Sequence, residues 1–275
     1  MIDDYFPITV NRQLTNDIFL LQLAIPEISR TAQPGQFVMI RTGNGCYPLL
    51  RRPFSILQTN SNAGTVDILL RTVGRGTSML SKMKPGEKLA VMGPLGNSFP
   101  LEGDFTTVLL LAGGIGLPPI YFAMKNLENS GKRIYLYYGT KTGTEQELLT
   151  SLSINSISIR QASEDGTRGY QGFITNLLQD DIRQGNFKAN GKIRLLGCGP
   201  NQMMYHAAKI CQTLNIESYF SIETGMACGI GLCQGCVIPV RKDESSSLEY
   251  KLVCKEGPVF PGEIIAQEEY ARFIL

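Results

Sequence analysis

A chain of 275 residues, 43% hydrophobic, 18% charged and free of low-complexity tracts, has the make-up of an ordinary globular protein of about two domains. Its net charge of +2 gives no electrostatic reason to place nucleic acid or an anionic membrane among its partners. Seven cysteines, an odd number, and a start at Met-Ile-Asp-Asp-Tyr without the basic and apolar regions of a secretory signal favour a reducing, cytoplasmic setting.

In residues 1–102, short apolar or alternating runs at 36–41, 66–73 and 88–92 are separated by turn formers such as Pro34-Gly35, Gly64 and Pro85-Gly86. Closely spaced strands of this kind predict a small antiparallel β-barrel or sandwich. A short helix is expected over 78–83. Two patches look chemical. Arg51, Arg52, Pro53, Phe54 and Ser55 put an arginine, a φ-locking proline and a hydroxyl on a predicted strand, and Gly74, Arg75, Gly76 and Thr77 offer free backbone amides at a helix start, an anion site. Taken singly they also read as a surface arginine pair and an ordinary turn. Gly93, Pro94, Leu95 and Gly96 then mark the end of this unit.

Residues 103–222 carry the signature of a parallel α/β domain. The uncharged stretch 106–124 is broken by Gly113, Gly114, Gly116, Pro118 and Pro119 into a buried strand (108–112), a glycine turn and a helix start, so it does not read as a membrane span. Further strands are expected at 133–138 and 192–196, the latter running into Cys198, Gly199 and Pro200. Strand, glycine turn and helix in that order can receive a dinucleotide pyrophosphate, although Gly-Gly-x-Gly is not the full dinucleotide fingerprint. Lys141 and Glu145, and again Asp165 and Arg168, leave the choice between NAD and NADP open. His206, the one histidine, falls on a predicted helix at 202–213, where a surface or core role suffices. With no acid-base apparatus in view, the chemistry must lie in cofactors.

Residues 223–275 contain Cys228, Cys233 and Cys236 in C-x4-C-x2-C spacing, with Cys254 eighteen residues further on. This is the thiolate spacing of a plant-type 2Fe-2S cluster. Glycines at 225, 229, 231 and 235 let backbone amides approach its sulfides. Structural zinc is the competing interpretation, but zinc sites usually set two close cysteine pairs together. Pro258 and Pro261 predict an extended passage before a short helix from Ala266.

These motifs resemble the ferredoxin-reductase family. The resemblance implies an FAD-binding barrel in which Arg52 pairs with the pyrophosphate, Pro53 and Phe54 complete the motif, and Ser55 bonds near flavin N5. It further implies that Leu69, Leu70 and Arg71 lie against the isoalloxazine and ribityl chain and that Gly76 and Thr77 cradle phosphate. Gly113, Gly114 and Gly116 would receive NAD, with Cys198, Gly199 and Pro200 at the nicotinamide edge. A barrel, a nucleotide domain and a cysteine segment in that order resemble the electron-transfer subunits of class 1B dihydroorotate dehydrogenases. That resemblance implies a role in pyrimidine biosynthesis: dihydroorotate is oxidised on a separate FMN-containing catalytic subunit, and electrons cross the 2Fe-2S cluster to FAD and leave as hydride on NAD+. It also implies a two-plus-two heterotetramer with the cysteine loop at the subunit interface. Thr224-Gly225 stands where a more charged pair is expected. The alternative is a subunit of an NAD(P)H-dependent ferredoxin or sulfide oxidoreductase; many such chains replace one cluster cysteine with aspartate, and this chain keeps four.

Overall fold

The computed structural model describes residues 1–43, 47–154, 157–187, 191–241 and 248–274. Strands β1 (Ile2–Gln13), β2 (Ile18–Ala24), β3 (Phe37–Ile40), β4 (Arg52–Asn60), β5 (Thr65–Arg71) and β6 (Lys88–Leu95) close into a barrel in the order β1-β2-β5-β4-β3-β6. Every neighbouring pair is antiparallel. Helix α1 (Pro26–Thr31) follows β2, and α2 (Arg75–Leu80) follows β5.

All four residues of β3 are buried, which explains why the sequence there reads as an unbroken apolar run. Successive side chains of a strand face opposite ways. Val38 and Ile40 join the barrel core with Leu21, Ile56 and Ile68, while Phe37 and Met39 face out and pack in a cluster with Cys236, Ile238 and Cys254. The outside of the barrel is therefore a second packing surface. On another side Ile18, Leu57 and Leu69 meet the helix that follows the first strand of the next unit. Helix α2 starts earlier than the expected 78–83 because Thr77 caps it: its Oγ1 accepts the Val73 and Gly74 N–H groups at 3.0 and 3.2 Å.

The second unit contains β7 (Thr107–Gly113), α3 (Leu117–Leu127), β8 (Arg133–Thr140), α4 (Glu147–Ser151), β9 (Ser158–Ser163), β10 (Tyr170–Gln171), α5 (Ile174–Arg183), β11 (Ile193–Cys198), α6 (Asn201–Thr213) and β12 (Glu217–Ser221). Its strands run parallel in the order β10-β9-β8-β7-β11-β12. The order reverses between β7 and β11, and in open α/β sheets ligands bind beyond the strand ends at such a switch point. Each expected strand is present and a residue or two longer. Prolines in the first turn of α3 occupy positions whose N–H groups have no helical acceptor. Among the described residues no helix is long and apolar enough to cross a membrane.

Arg194 on β11 fixes the crossing between the two units. Its Nη1 donates to the Pro100 and Glu102 carbonyls at 2.8 and 2.7 Å, its Nε and Nη2 reach Glu217 Oε2, and its guanidinium stacks 4.0 Å from the Phe105 ring. A buried fork satisfied on three sides holds the 100–105 connection against the sheet.

The remaining chain departs from the expected 223–275 unit. The cysteine loop leads into a hairpin, β13 (Val237–Arg241) and β14 (Leu248–Leu252), and a short helix α7 (Val253–Glu256). The chain then returns as β15 (Val259–Pro261), antiparallel to β12 with Ser221 opposite Val259. Helices α8 (Gly262–Ile265) and α9 (Glu268–Ile274) complete it. The extended passage predicted around Pro258 and Pro261 thus joins the α/β sheet as β15, because it finds a free sheet edge there.

Candidate functional site

A cavity of about 610 Å³ lies where the barrel, the α/β unit and the cysteine segment meet. From β4 it is lined by Arg52, Pro53, Phe54 and Ser55, from β5 by Leu69, Leu70 and Arg71, and from the start of α2 by Gly76 and Thr77. The structure gathers all nine onto one wall. The facing side comes from Ile115 and Pro118 at the glycine turn, from residues 221–224, and from Met226 and Pro258.

The polar groups on this wall suit an anionic ligand. Among the described residues the Arg52 side chain bonds only the Leu50 and Arg51 carbonyls, at 2.7 and 3.4 Å, both through Nη1. The first-turn N–H groups of α2 have no acceptor within the helix. Thr77 differs from expectation in one respect: its hydroxyl is spent on the helix cap, so a phosphate there would meet backbone and not side chain. Arg71 is ion-paired to Asp17 at 3.1 Å and to Glu145 at 2.9 Å, joining barrel to α/β unit at the edge of the cavity. Glu145, one of the residues weighed for nucleotide choice, is therefore committed to Arg71. Asp165 is likewise engaged: it accepts the Thr167 N–H and hydroxyl at 3.0 and 2.8 Å, which holds its carboxyl below the usual range.

At the switch point the two glycine turns press on each other. A Cβ on Gly116 would sit 2.6 Å from the Cys198 carbonyl oxygen, so only glycine allows this approach. Cys198 is fully buried behind that contact and does not line the cavity; burial pushes its thiol well up. Glu223 was not singled out from the sequence as a site residue, yet it lies on the cavity wall, where desolvation raises its carboxyl. Nothing in the local sequence signals this, because the wall forms only when the segment after β12 meets the barrel. His206 is exposed on α6, beside Tyr205 and away from the cavity wall.

The four cysteines of the C-terminal pattern converge. The Cys233 N–H donates to Cys228 Sγ at 3.5 Å, the Cys254 N–H to Cys236 Sγ at 3.4 Å, and the Gly231 N–H to Cys254 Sγ at 3.1 Å. Among the described residues no three His, Cys, Asp or Glu side chains enclose a single metal ion. The thiols instead form two pairs, Cys228 with Cys233 and Cys236 with Cys254, as two irons with two thiolates each require. Burial opposes ionisation of Cys228, but the N–H groups of Cys233, Ile230 and Leu232 outweigh it and bring the thiol down to about 6. Burial and the neighbouring Cys236 push Cys254 up to about 12. Backbone donors aimed at sulfur and glycines that leave room for them fit an iron-sulfur group. Leu232 at the loop tip is 77% exposed. Cys198 and Cys211 stand apart and buried, and Cys46 lies outside the described residues.

Comparison with known proteins agrees with this geometry. Residues 223–266 match the family model of the iron-sulfur cluster binding domain of dihydroorotate dehydrogenase B, and residues 5–99 match that of the oxidoreductase FAD-binding domain. The chain is similar to the dihydroorotate dehydrogenase B (NAD(+)) electron transfer subunit of Bacillus cereus strain B4264, with 36% identity over 94% of this chain and 97% of the relative. The subunit of the same name from Desulforamulus reducens is 32% identical over 88% and 90%. Among solved structures, a chain of the NADH-dependent reduced ferredoxin-NADP oxidoreductase superimposes with a TM-score of 0.83 at 26% identity, covering 98% of this chain and 92% of that one. The ferredoxin reductase in carbazole 1,9a-dioxygenase, at 21% identity and a TM-score of 0.67 over 78% of this chain and 66% of that one, shares the fold.

Proposed function

The chain belongs to the family of dihydroorotate dehydrogenase B electron transfer subunits, and on that premise we propose that it carries electrons from a dihydroorotate-oxidising partner subunit to NAD+. The observation that carries this is the shared wall: Met226 and Pro258, which flank the cysteine pairs in sequence, line the same cavity as the barrel residues and the glycine turn. When bound, FAD exchanges hydride with nicotinamide and single electrons with a 2Fe-2S cluster, which is the conversion such a relay needs.

The chain's own residues hold and orient. Cys228, Cys233, Cys236 and Cys254 supply two thiolates to each iron. Arg52 and the first turn of α2 take the FAD pyrophosphate, and Ser55 stands at the flavin ring. Gly114, with only an Arg71 nitrogen 3.9 Å from where a Cβ would be, lets the dinucleotide backbone approach, while Gly113 and Gly116 pack their turn against Cys198, Gly199 and Pro200. Arg71, already neutralised by Asp17 and Glu145, steers the ribityl chain by shape more than by charge. The partner is FMN-bearing, in a two-plus-two assembly in the cytoplasm, and meets the exposed loop around Leu232.

Arg52→Ala is expected to weaken FAD binding by roughly tenfold to a hundredfold, the worth of about 1.5–3 kcal/mol for a hydrogen-bonded charge. Flavin content after gel filtration measures it, and undiminished flavin would remove Arg52 from the site. The function itself is tested by co-purifying the chain with the product of its neighbouring gene and assaying dihydroorotate-dependent reduction of NAD+. A folded, FMN-loaded partner that gives no NADH sinks the assignment. Ferredoxin-dependent reduction of NAD(P)+ in its place would support the reading that the 26% identical structural relative favours.

A further inference from the structure

We propose that Asn97 is a positioning residue that sets the spacing between the cysteine pairs and the flavin cavity; this rests on the function proposed above. The side chain lies just beyond the Gly-Pro-Leu-Gly stretch that ends the barrel, and nothing in the relay so far uses it.

Four hydrogen bonds join this one residue to three residues of a single short segment, Glu256, Gly257 and Val259. Its Nδ2 donates to the Glu256 and Val259 carbonyls at 3.0 and 2.9 Å, its Oδ1 accepts the Val259 N–H at 2.9 Å, and its own N–H donates to the Gly257 carbonyl at 2.7 Å. Both amide hydrogens are used. The contact is close because Gly96, at φ +74°, brings the barrel end onto Pro258 with no room for a Cβ. The barrel side is braced in turn, since Gln36 Nε2 donates to the Gly96 carbonyl at 2.8 Å and the Phe99 N–H to the Pro34 carbonyl at 2.8 Å.

The clasped segment connects the two redox sites. Two residues before Glu256 stands Cys254, hydrogen-bonded to Gly231 and Cys236. Pro258 lines the cavity, and its carbonyl accepts the N–H of Ile222, another wall residue, at 2.9 Å. Asn97 thus ties the barrel, which holds the flavin, to the short path that carries one iron ligand. Electron transfer between buried centres falls off exponentially with separation, so a clasp at this point controls that step and not the hydride step at the glycine turn. Aspartate in its place would lose both donors and face two carbonyls with a charge.

The test compares Asn97→Asp and Asn97→Ala with Ser98→Ala, whose hydroxyl bonds only Gln33 among the described residues. NADH gives a hydride to the flavin, and one electron then passes to the oxidised cluster; stopped-flow spectroscopy separates the two steps. Both Asn97 variants are expected to keep FAD and iron and to accept hydride at the normal rate. Passage to the cluster should slow roughly tenfold, about 1.4 kcal/mol of barrier. Amide exchange across 253–261 should quicken and the electron paramagnetic resonance spectrum of the reduced cluster should shift, while Ser98→Ala changes none of these. A wild-type chain lacking flavin or cluster absorption would overturn the proposed function itself. Given a loaded wild type, an unchanged cluster step, equal slowing of both steps, or loss of FAD or of folding in both Asn97 variants with Ser98→Ala intact would each overturn the clasp.

Discussion

Cys254→Ser is expected to empty the chain of iron while leaving its FAD in place. Cys254 is 3% exposed, reaches the other cysteines from a separate helix and receives the Gly231 N–H on its sulfur. A serine hydroxyl there stays protonated and is a poor ligand for iron. With one iron down to a single thiolate, Cys236, the cluster has no closed coordination. Dihydroorotate-dependent NAD+ reduction with the partner subunit should fall at least about a hundredfold, roughly 2.7 kcal/mol in barrier terms. Flavin content and NADH oxidation by a soluble dye should hold, since Cys254 does not line the cavity. Iron analysis and the visible spectrum read the result. Cys211→Ser, buried on α6, serves as control, and unchanged iron in Cys254→Ser would mean that the fourth ligand lies elsewhere.

The largest effect on stability is expected at Asp181. This carboxylate is 3% exposed on α5 and accepts from Tyr137 Oη at 2.8 Å, from Arg160 Nε and Nη2 at 2.8 and 2.7 Å, and from Asn186 Nδ2 at 2.8 Å. Asp181→Ala strands the buried Tyr137 hydroxyl, while the half-exposed Arg160 can turn to water, so the cost sits near the lower end for breaking a buried pair, about 3 kcal/mol. For a unit of this size that lowers the thermal midpoint by roughly 6–12 °C. Desolvation alone would raise the Asp181 carboxyl, but the bonds from Arg160, Asn186 and Tyr137 win and hold it below its ordinary value of 3.8. A depressed folded value means that the ionised form stabilises the fold above the unfolded value and that this gain is lost as pH falls through the folded one. The stability gap between wild type and Asp181→Asn should therefore be flat at neutral pH and narrow below 3.8. Urea titrations across that range measure it, and a gap that widens on acidification would refute the assignment.

The site was legible in the sequence wherever chemistry imposes short-range spacing. The cysteine pattern, the Arg52 to Ser55 run and the glycine turns are local; the structure brings the cysteines together and sets Arg52 to Ser55 on the cavity, while of the glycine turn at 113–116 only Ile115 reaches it. What escaped depends on contacts between distant segments. Strand β1 is twelve residues long, yet Ile8 is its one fully buried position, so it carries no alternation to find. The Arg71–Glu145 pair and the Asn97 clasp join residues 74 and up to 162 positions apart, through side chains that on their own suit any turn or surface. The return of β15 to the nucleotide sheet was hidden for a similar reason: three residues with two prolines nearby read as an irregular tail until a neighbouring edge is seen to be free.

That return bears on how the chain can be rebuilt. Because Ser221 and Val259 face each other across one ladder, the iron-bearing stretch between them is a bracketed insert, entering and leaving the nucleotide sheet at a single point. It can be lengthened or exchanged without re-threading any strand, provided the replacement also covers the cavity wall and the apolar face of Phe37 and Met39 that Cys236, Ile238 and Val240 now bury. The same scaffold can thus gain or lose an electrical terminal as a cassette, with its flavin and nicotinamide chemistry left on either side of the splice.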